Sequence, residues 1–266
     1  MQLKRPFGGT EPWAKKHAGL LVVLLCVLVL HLGLFVYDLA QPSTFLKGDR
    51  AGLRLGTIEG LLASTDSGVE LQSFLATHGI VGDYALHGIV FGLVGQYGLI
   101  LVQIFLLLVS VVYLCKLAWL IRPSQKLALV TVLIYVLLPH TIIYPHLLTV
   151  ELMFIPFVIV SFYLLGRYAI TGGGPSYLVG SAVLLGVAIL VRPLLALWPA
   201  AVFVLAAISL RPKFRAGHWI AFLCISVLPL VLWMSFMWFS TGEFTMGESG
   251  HSLSRNLYLR VERISE

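Results

Sequence analysis

Long apolar runs broken by short polar segments dominate this chain. Asp, Glu, Lys and Arg are absent from seven successive stretches, and most of these approach or exceed the roughly 20 residues that a helix needs to cross a bilayer. The pattern predicts seven transmembrane helices with cores at 19–37, 97–117, 127–144, 150–167, 176–192, 194–210 and 217–239. The first run is longer than a signal-peptide core and ends in Asp38-Leu39-Ala40, a poor cleavage site, so we expect an uncleaved anchor.

Composition supports the same fold class. Hydrophobic residues make up 59% of the chain and charged residues only 11%, against about 25% in soluble domains. We therefore expect an all-α polytopic membrane protein, with residues 1–240 as one transmembrane module and 241–266 as a short outer tail. The three cysteines lie in apolar runs and form no metal or redox motif.

The basic residues predict the orientation. With the N-terminus in the cytoplasm, the loops on the inner side are short and basic, as the positive-inside rule requires. They carry Lys4, Arg5, Lys15, Lys16, Lys116, Arg122, Lys126, Arg167, Arg211, Lys213 and Arg215. With seven spans, the C-terminus lies on the outer side of the membrane. We expect this membrane to be the cell (inner or plasma) membrane. The net charge of +6 is thus explained by topology, and no basic surface interleaved with aromatic residues indicates nucleic-acid binding.

The first outer loop, 38–96, is much the longest connection. Apolar residues recur at roughly helical spacing in 49–62 and again in 67–78, which predicts two amphipathic helices lying on the membrane surface. Long ordered loops are usually functional. The alternative is a solvated loop with ordinary surface charges.

Polar side chains are concentrated between the third and fourth predicted spans. The segment 139–151 contains two helix-disrupting prolines and, among its polar residues, His140, Tyr144, His146 and Glu151. Because a carboxylate beside lipid is costly unless it is paired or hydrated, Glu151 indicates function. The alternative is an interfacial loop with snorkelling side chains, which we favour for His140 taken alone.

Arg192 is the only Asp, Glu, Lys or Arg between Tyr168 and Leu210, and Pro193 follows it. The predicted topology places it at the outer face, against the positive-inside rule. A phosphate ligand would explain this position, because the guanidinium fork matches phosphate oxygens. The alternative is a purely structural salt bridge with Glu151.

The predicted topology brings the rare polar residues to one membrane face. They are Asp49, Asp83, His87, His140, His146, Glu151 and Arg192. A lipid-linked substrate would reach that face sideways through the bilayer. An acid, a base and a cation at the interface suit chemistry on a phosphate-activated lipid.

Several short motifs, in this order and topology, resemble the GT-C-fold polyprenyl-phosphate-sugar glycosyltransferases, the group of the protein O-mannosyltransferases and aminoarabinose transferases. These motifs are Gly48-Asp49, Gly82-Asp83-Tyr84 with His87, Val102-Gln103, Pro139, Tyr144, Thr149-Val150-Glu151-Leu152, and the apolar span that ends in Arg192-Pro193. The resemblance covers the membrane module. Many members continue into further helices and an outer domain, so an incomplete or partner-dependent transferase stays an open alternative.

The resemblance implies a mechanism. Asp49, or as second choice Asp83, would be the general base, and Arg192 would bind the donor phosphate. Glu151, His87, His140, His146 and Tyr144 would orient the sugar or the site, and the reaction would invert the anomeric carbon. Because Arg50 follows Asp49, no two-acid motif supports a metal site, so we assign no metal ligands and expect no certain cofactor. A divalent metal stays an open alternative.

The implied partners are a polyprenyl-phosphate-linked sugar, an acceptor that is a lipid, glycan or protein, membrane lipids, and a protein subunit, with no nucleic acid. Two other classes stay open: a lipid or solute transporter or flippase, and a non-catalytic membrane partner subunit. Against a transporter, the rare charges lie at one face rather than at the bilayer midplane, and no internal repeat is visible.

Overall fold

The computed structural model of the protein describes residues 18–40, 81–147, 149, 151–209 and 215–241, without the side chains of 81–85, 240 and 241. Throughout these ranges the ordered elements are helices. They are α1 (Ala18–Ala40), α2 (Val81–Ile121), α3 (Gln125–Leu137), α4 (Pro139–Ile143), a 3₁₀ turn (Tyr144–His146), α5 (Glu151–Thr171), α6 (Pro175–Val191), a 3₁₀ segment (Pro193–Leu197), α7 (Trp198–Ser209) and α8 (Ala216–Thr241).

Four of these helices are long and apolar enough to cross a membrane: α1, the Leu86–Ile121 part of α2, α5 and α8. A fifth span results if α3 and the residues Pro139–His146, which meet at an angle of 67°, count as one bent element. The helices Pro175–Val191 and Pro193–Ser209 are apolar but shorter. The protein is therefore an all-helical, multi-pass membrane protein, and the count of seven spans stays a prediction.

The helix breaks fall largely where the sequence predicts them. Helix α3 ends at Leu137, and the next residue, Leu138, has an extended ψ of 133°. The ring of Pro139 disfavours a helical conformation for the residue before it. The Thr141 hydroxyl lies 2.7–3.0 Å from the carbonyl oxygens of Tyr135, Val136 and Leu138. Its single proton can be donated to one of these oxygens at a time, so the hydroxyl helps to satisfy the backbone acceptors next to the break.

One break was not predicted. Helix α2 is interrupted at Gly95, which has φ 68° and ψ −175°. This region of backbone space is open almost only to glycine, which has no Cβ. The kink separates the first turns of α2, which carry Asp83 and His87, from the part that carries Gln103.

Helix α6 occupies the middle of the C-terminal half, between α5 and α8. Its residues Leu178, Ala182, Leu185 and Ile189 are buried in one core cluster with residues of α7 and α8. A Cβ on Gly186 would lie 3.0 Å from the Pro229 ring and 3.1 Å from the backbone oxygen of Ser226. The absence of a side chain at Gly186 therefore allows α6 and α8 to approach closely.

Several sequence predictions lie outside the described residues. These are the two amphipathic helices of the first outer loop, Asp49, and nearly all of the C-terminal tail 241–266. They stay predictions.

Candidate functional site

Helix α1 buries a narrow stripe of its surface. Its buried residues are Leu20, Val27, His31 and Asp38, spaced seven, four and seven residues apart, which places them on one face of a helix. Most of the other faces expose large apolar side chains, as a lipid-facing helix does. The first two buried positions are apolar and the last two are polar, so the stripe changes character towards the C-terminal end of α1.

His146 of the 3₁₀ turn meets those two polar residues. Its Nδ1 lies 2.7 Å from Asp38 Oδ2, and its Nε2 lies 2.9 Å from Nδ1 of His31. The two imidazole rings are stacked, with centroids 5.2 Å apart and planes inclined by 13°. We call His31, Asp38 and His146 the His146 cluster. All three residues are buried, with relative exposures of 1%, 8% and 8% in that order.

The backbone around His146 is held by Gln103 of α2. This side chain is completely buried. With its amide oriented to suit its neighbours, its nitrogen donates to the carbonyls of Pro145 at 2.9 Å and Leu147 at 3.1 Å. Those two carbonyls flank His146 in the chain, so α1 fixes the ring of His146 while α2 fixes its backbone.

The first turn of α5 connects this cluster to Arg192. Leu152 packs in a buried cluster with Val27 of α1 and Leu107 of α2. The next residue, Met153, packs with Leu99 and with Val191, the last residue of α6. Glu151 and Arg192 directly adjoin these packed residues in the chain, so both lie at the end of the bundle that holds the His146 cluster.

The alternative of a structural salt bridge between Glu151 and Arg192 is not realised. Both side chains are described, and no ion pair joins them; Glu151 is half-buried and Arg192 is exposed. The backbone of Arg192 ends α6, because its N–H donates to Ala188 while its own φ and ψ, −136° and 89°, leave the helical region. A helix end followed by Pro193 thus presents a guanidinium outside the packed core.

Among the remaining predicted site residues, the structure describes the side chains of some and not of others. His140 and Tyr144 are half-buried neighbours with ring centroids 5.7 Å apart, and His87 is buried in α2. Asp83 lies in α2, but its side chain is outside the described part, as is the whole of Asp49. The structure therefore brings His146, Tyr144, Glu151 and Arg192 to one end and does not test the proposed bases.

Sequence reasoning missed His31 and Asp38 as members of the site. His31 lies within the first apolar run, and Asp38 directly follows it. The available signal was their spacing, because they continue the stripe that begins with Leu20 and Val27. Within the described ranges, no group of three or more His, Cys, Asp or Glu side chains is arranged to hold a metal ion.

The fold and this site define a class: a multi-pass, all-helical membrane protein with buried and exposed ionisable residues gathered at one end of the bundle. The sequence profile of the dolichyl-phosphate-mannose-protein mannosyltransferase family matches residues 77–238, which is more than half of the chain. The chain belongs to this family of GT-C-fold glycosyltransferases. Searches of curated proteins and of solved structures give no match.

The matched region runs from just before α2 to near the end of α8 and includes Asp83, His146, Glu151 and Arg192. Helix α1 and Asp49 precede it. The His146 cluster therefore joins residues inside the match to residues outside it.

Proposed function

We propose that this protein transfers a sugar from a polyprenyl-phosphate donor to an acceptor hydroxyl at the outer face of the membrane, with inversion at the anomeric carbon. The observation that carries the proposal is Arg192, an exposed arginine with no ion pair to Glu151 at the end of an apolar helix. Membership of a glycosyltransferase family supports the donor class.

Arg192 is proposed to bind the donor phosphate. Its guanidinium offers parallel N–H donors that match the spacing of phosphate oxygens. As the sugar–phosphate bond breaks, negative charge accumulates on those oxygens, and a cation fixed beside them lowers the barrier. The polyprenyl tail would lie in the bilayer against the apolar helix surfaces.

Asp49 is proposed as the general base, with Asp83 as the second choice. The carboxylate takes the proton of the acceptor hydroxyl while the oxygen bonds to the anomeric carbon. The bond from that carbon to the phosphate oxygen breaks on the opposite face, and polyprenyl phosphate leaves with the bonding electron pair. The orienting residues, which would position the sugar or Arg192, are Glu151, His87, His140, His146 and Tyr144.

The proposal includes the topology of the sequence prediction: seven spans, a cytoplasmic N-terminus and an outer C-terminus. The seven apolar runs of the sequence support this count, and each of them contains helix in the structure. Four of the helices, or five with the bent pair, are long and apolar enough to span a membrane. The distribution of Lys and Arg supports the orientation.

The test uses purified protein in lipid nanodiscs with a radiolabelled polyprenyl-phosphate mannose and a hydroxyl-bearing peptide as the acceptor probe. Release of polyprenyl phosphate and labelling of the peptide are both measured. Arg192→Ala should weaken donor binding about 10- to 100-fold, the equivalent of one or two charge-assisted hydrogen bonds. Asp49→Asn should abolish transfer while the protein still binds donor.

Arg122→Ala is the matched control for Arg192, because Arg122 is also an exposed arginine that follows a helix, but it lies outside the proposed site. Asp66→Asn is the control for Asp49, since both residues belong to the first outer loop. Unchanged donor affinity in Arg192→Ala would overturn the phosphate role. Full turnover in Asp49→Asn together with a loss in Asp83→Asn would move the base to Asp83.

A further inference from the structure

His146 is held more firmly than a packing residue requires. Its backbone is flanked by the two carbonyls that accept from Gln103, and its ring bonds to Asp38 and His31. The helices at this point are already joined by apolar contacts among Val27, Leu107 and Leu152. The polar anchors therefore add something besides cohesion between α1, α2 and α5.

Asp38 determines which atoms of the His146 cluster donate hydrogen bonds and which accept them. An ionised Asp38 only accepts, so Nδ1 of His146 donates to it and Nε2 of His146 is left as an acceptor. Nδ1 of His31 then donates to that nitrogen. Each bond selects one tautomer and one ring orientation, so Asp38 and His31 together determine how the ring of His146 is turned.

Burial makes this arrangement costly, because a carboxylate and two imidazoles lose contact with water among apolar helices. Buried polar networks in which every group is paired rigidify the elements they join and favour one arrangement. Here the element is short: the 3₁₀ turn leads through Leu147, whose carbonyl accepts from the N–H of Thr149 at 2.8 Å, to the first residue of α5. That first residue is Glu151.

We propose that Asp38 and His31 are positioning residues for the transfer reaction. They hold His146, and through the 3₁₀ turn Tyr144–His146 and Leu147 they fix where Glu151, the first residue of α5, stands relative to Arg192. This inference rests on the proposed function for its link to turnover. Neither residue contacts the donor in this scheme; both act through His146.

The experiment compares Asp38→Ala with Asp38→Asn. Asn keeps an oxygen that accepts from Nδ1 of His146, whereas Ala removes the acceptor. Asp38→Ala should lower kcat about 100-fold with little change in the KM for donor, because a small displacement of reacting groups has an effect of this size. The kcat of Asp38→Asn should stay within about fivefold of the parent value, because a neutral hydrogen bond replaces a charge-assisted one.

Hydrogen–deuterium exchange supplies a readout independent of turnover. In Asp38→Ala, exchange should rise in the peptide covering 144–151 and stay unchanged in α6 and α8. The matched control is Tyr168→Phe, which removes a 2.7 Å hydrogen bond to Nδ1 of His218. Tyr168 lies 17 residues after Glu151 on α5, a distance of about 25 Å along the helix, so this variant should leave kcat and exchange in 144–151 unchanged.

The outcomes separate the two proposals. A parent protein without turnover would refute the proposed transferase function, while altered exchange in Asp38→Ala would still support the positioning of 144–151. Unchanged exchange in Asp38→Ala would refute the positioning role outright. A rise in exchange with unchanged kcat, or an equal loss of kcat in Asp38→Asn and Asp38→Ala, would also overturn it.

Discussion

Gln103→Met is the sharpest test of how the segment around His146 is held. Methionine has nearly the volume and flexibility of glutamine but cannot donate hydrogen bonds. The substitution therefore keeps the packing of this completely buried position in α2 and removes the two bonds to the carbonyls of Pro145 and Leu147.

The magnitude follows mainly from the Pro145 carbonyl, because the Leu147 carbonyl still accepts from the N–H of Thr149. An orphaned buried polar group costs about 1–3 kcal/mol, so the local cost should be about 1–3 kcal/mol. Water has little access here, because Pro145 and His146 are buried. The loss should appear mainly as local opening of the 3₁₀ turn, because such turns depend on a few hydrogen bonds.

The assay is hydrogen–deuterium exchange of the backbone amides of Leu147 and Thr149. These amides donate to Tyr144 and Leu147 in the parent structure. A local destabilisation of 2 kcal/mol corresponds to about 30-fold faster exchange, since 1.4 kcal/mol is a factor of ten. The amides of α8 should exchange as before.

Ser110→Ala is the matched control on the same helix. Ser110 is as buried as Gln103, but its hydroxyl donates to the Leu106 carbonyl one turn earlier. That carbonyl keeps its helical partner when the hydroxyl is removed, so the cost should stay below about 1 kcal/mol. Equal exchange in Gln103→Met and Ser110→Ala would refute the reasoning and with it the amide orientation assigned to Gln103.

Two further predictions concern glycines. Gly95→Ala should destabilise the protein by about 1–3 kcal/mol through backbone strain alone, because no atom lies within 4 Å of the added Cβ. The control is Gly33→Ala, which is equally open but has a helical backbone and should not destabilise the protein. Equal melting temperatures of the two variants would contradict this. Gly186→Ala should destabilise by about 1 kcal/mol, since overpacking against rigid atoms of α8 exceeds the gain in helix propensity. Gly180→Ala on the same helix should stabilise, because only a leucine methyl group at 3.3 Å must yield, so a shift of the same sign in both variants would refute the argument.

The fold class was predictable because lipid imposes a simple rule on the sequence. Each spanning segment must satisfy its backbone internally and cover it with apolar side chains, so the runs and their breaks are visible directly. The predicted breaks at Pro139, Pro175 and Pro193 were confirmed. They were predictable because proline restricts the conformation of the residue before it. The kink at Gly95 was not predictable, because a glycine in an apolar helix is compatible with either a straight or a broken course.

The sequence predicted which end of the helix bundle holds the site but not the contacts within it. Topology gathers Glu151, His146 and Arg192 at one end without saying which of them touch. The sequence left a Glu151–Arg192 salt bridge open, and the structure instead pairs His146 with Asp38. Such a pairing depends on how α1 is rotated about its axis, and this rotation is set by packing against α2 and the 3₁₀ turn rather than by any local pattern.

The pairing also changes which part of the chain belongs to the site. The family match begins at residue 77, so by sequence similarity α1 looks like a membrane anchor that precedes the matched module. Yet α1 supplies both side chains that bind the ring of His146, and Val27 of α1 packs against Leu152 beside Glu151. An apolar anchor needs neither a buried carboxylate nor a buried imidazole, and both are costly there. Helix α1 is therefore part of the site's framework, and replacing it with an unrelated apolar span should leave insertion intact while releasing the segment that positions Glu151.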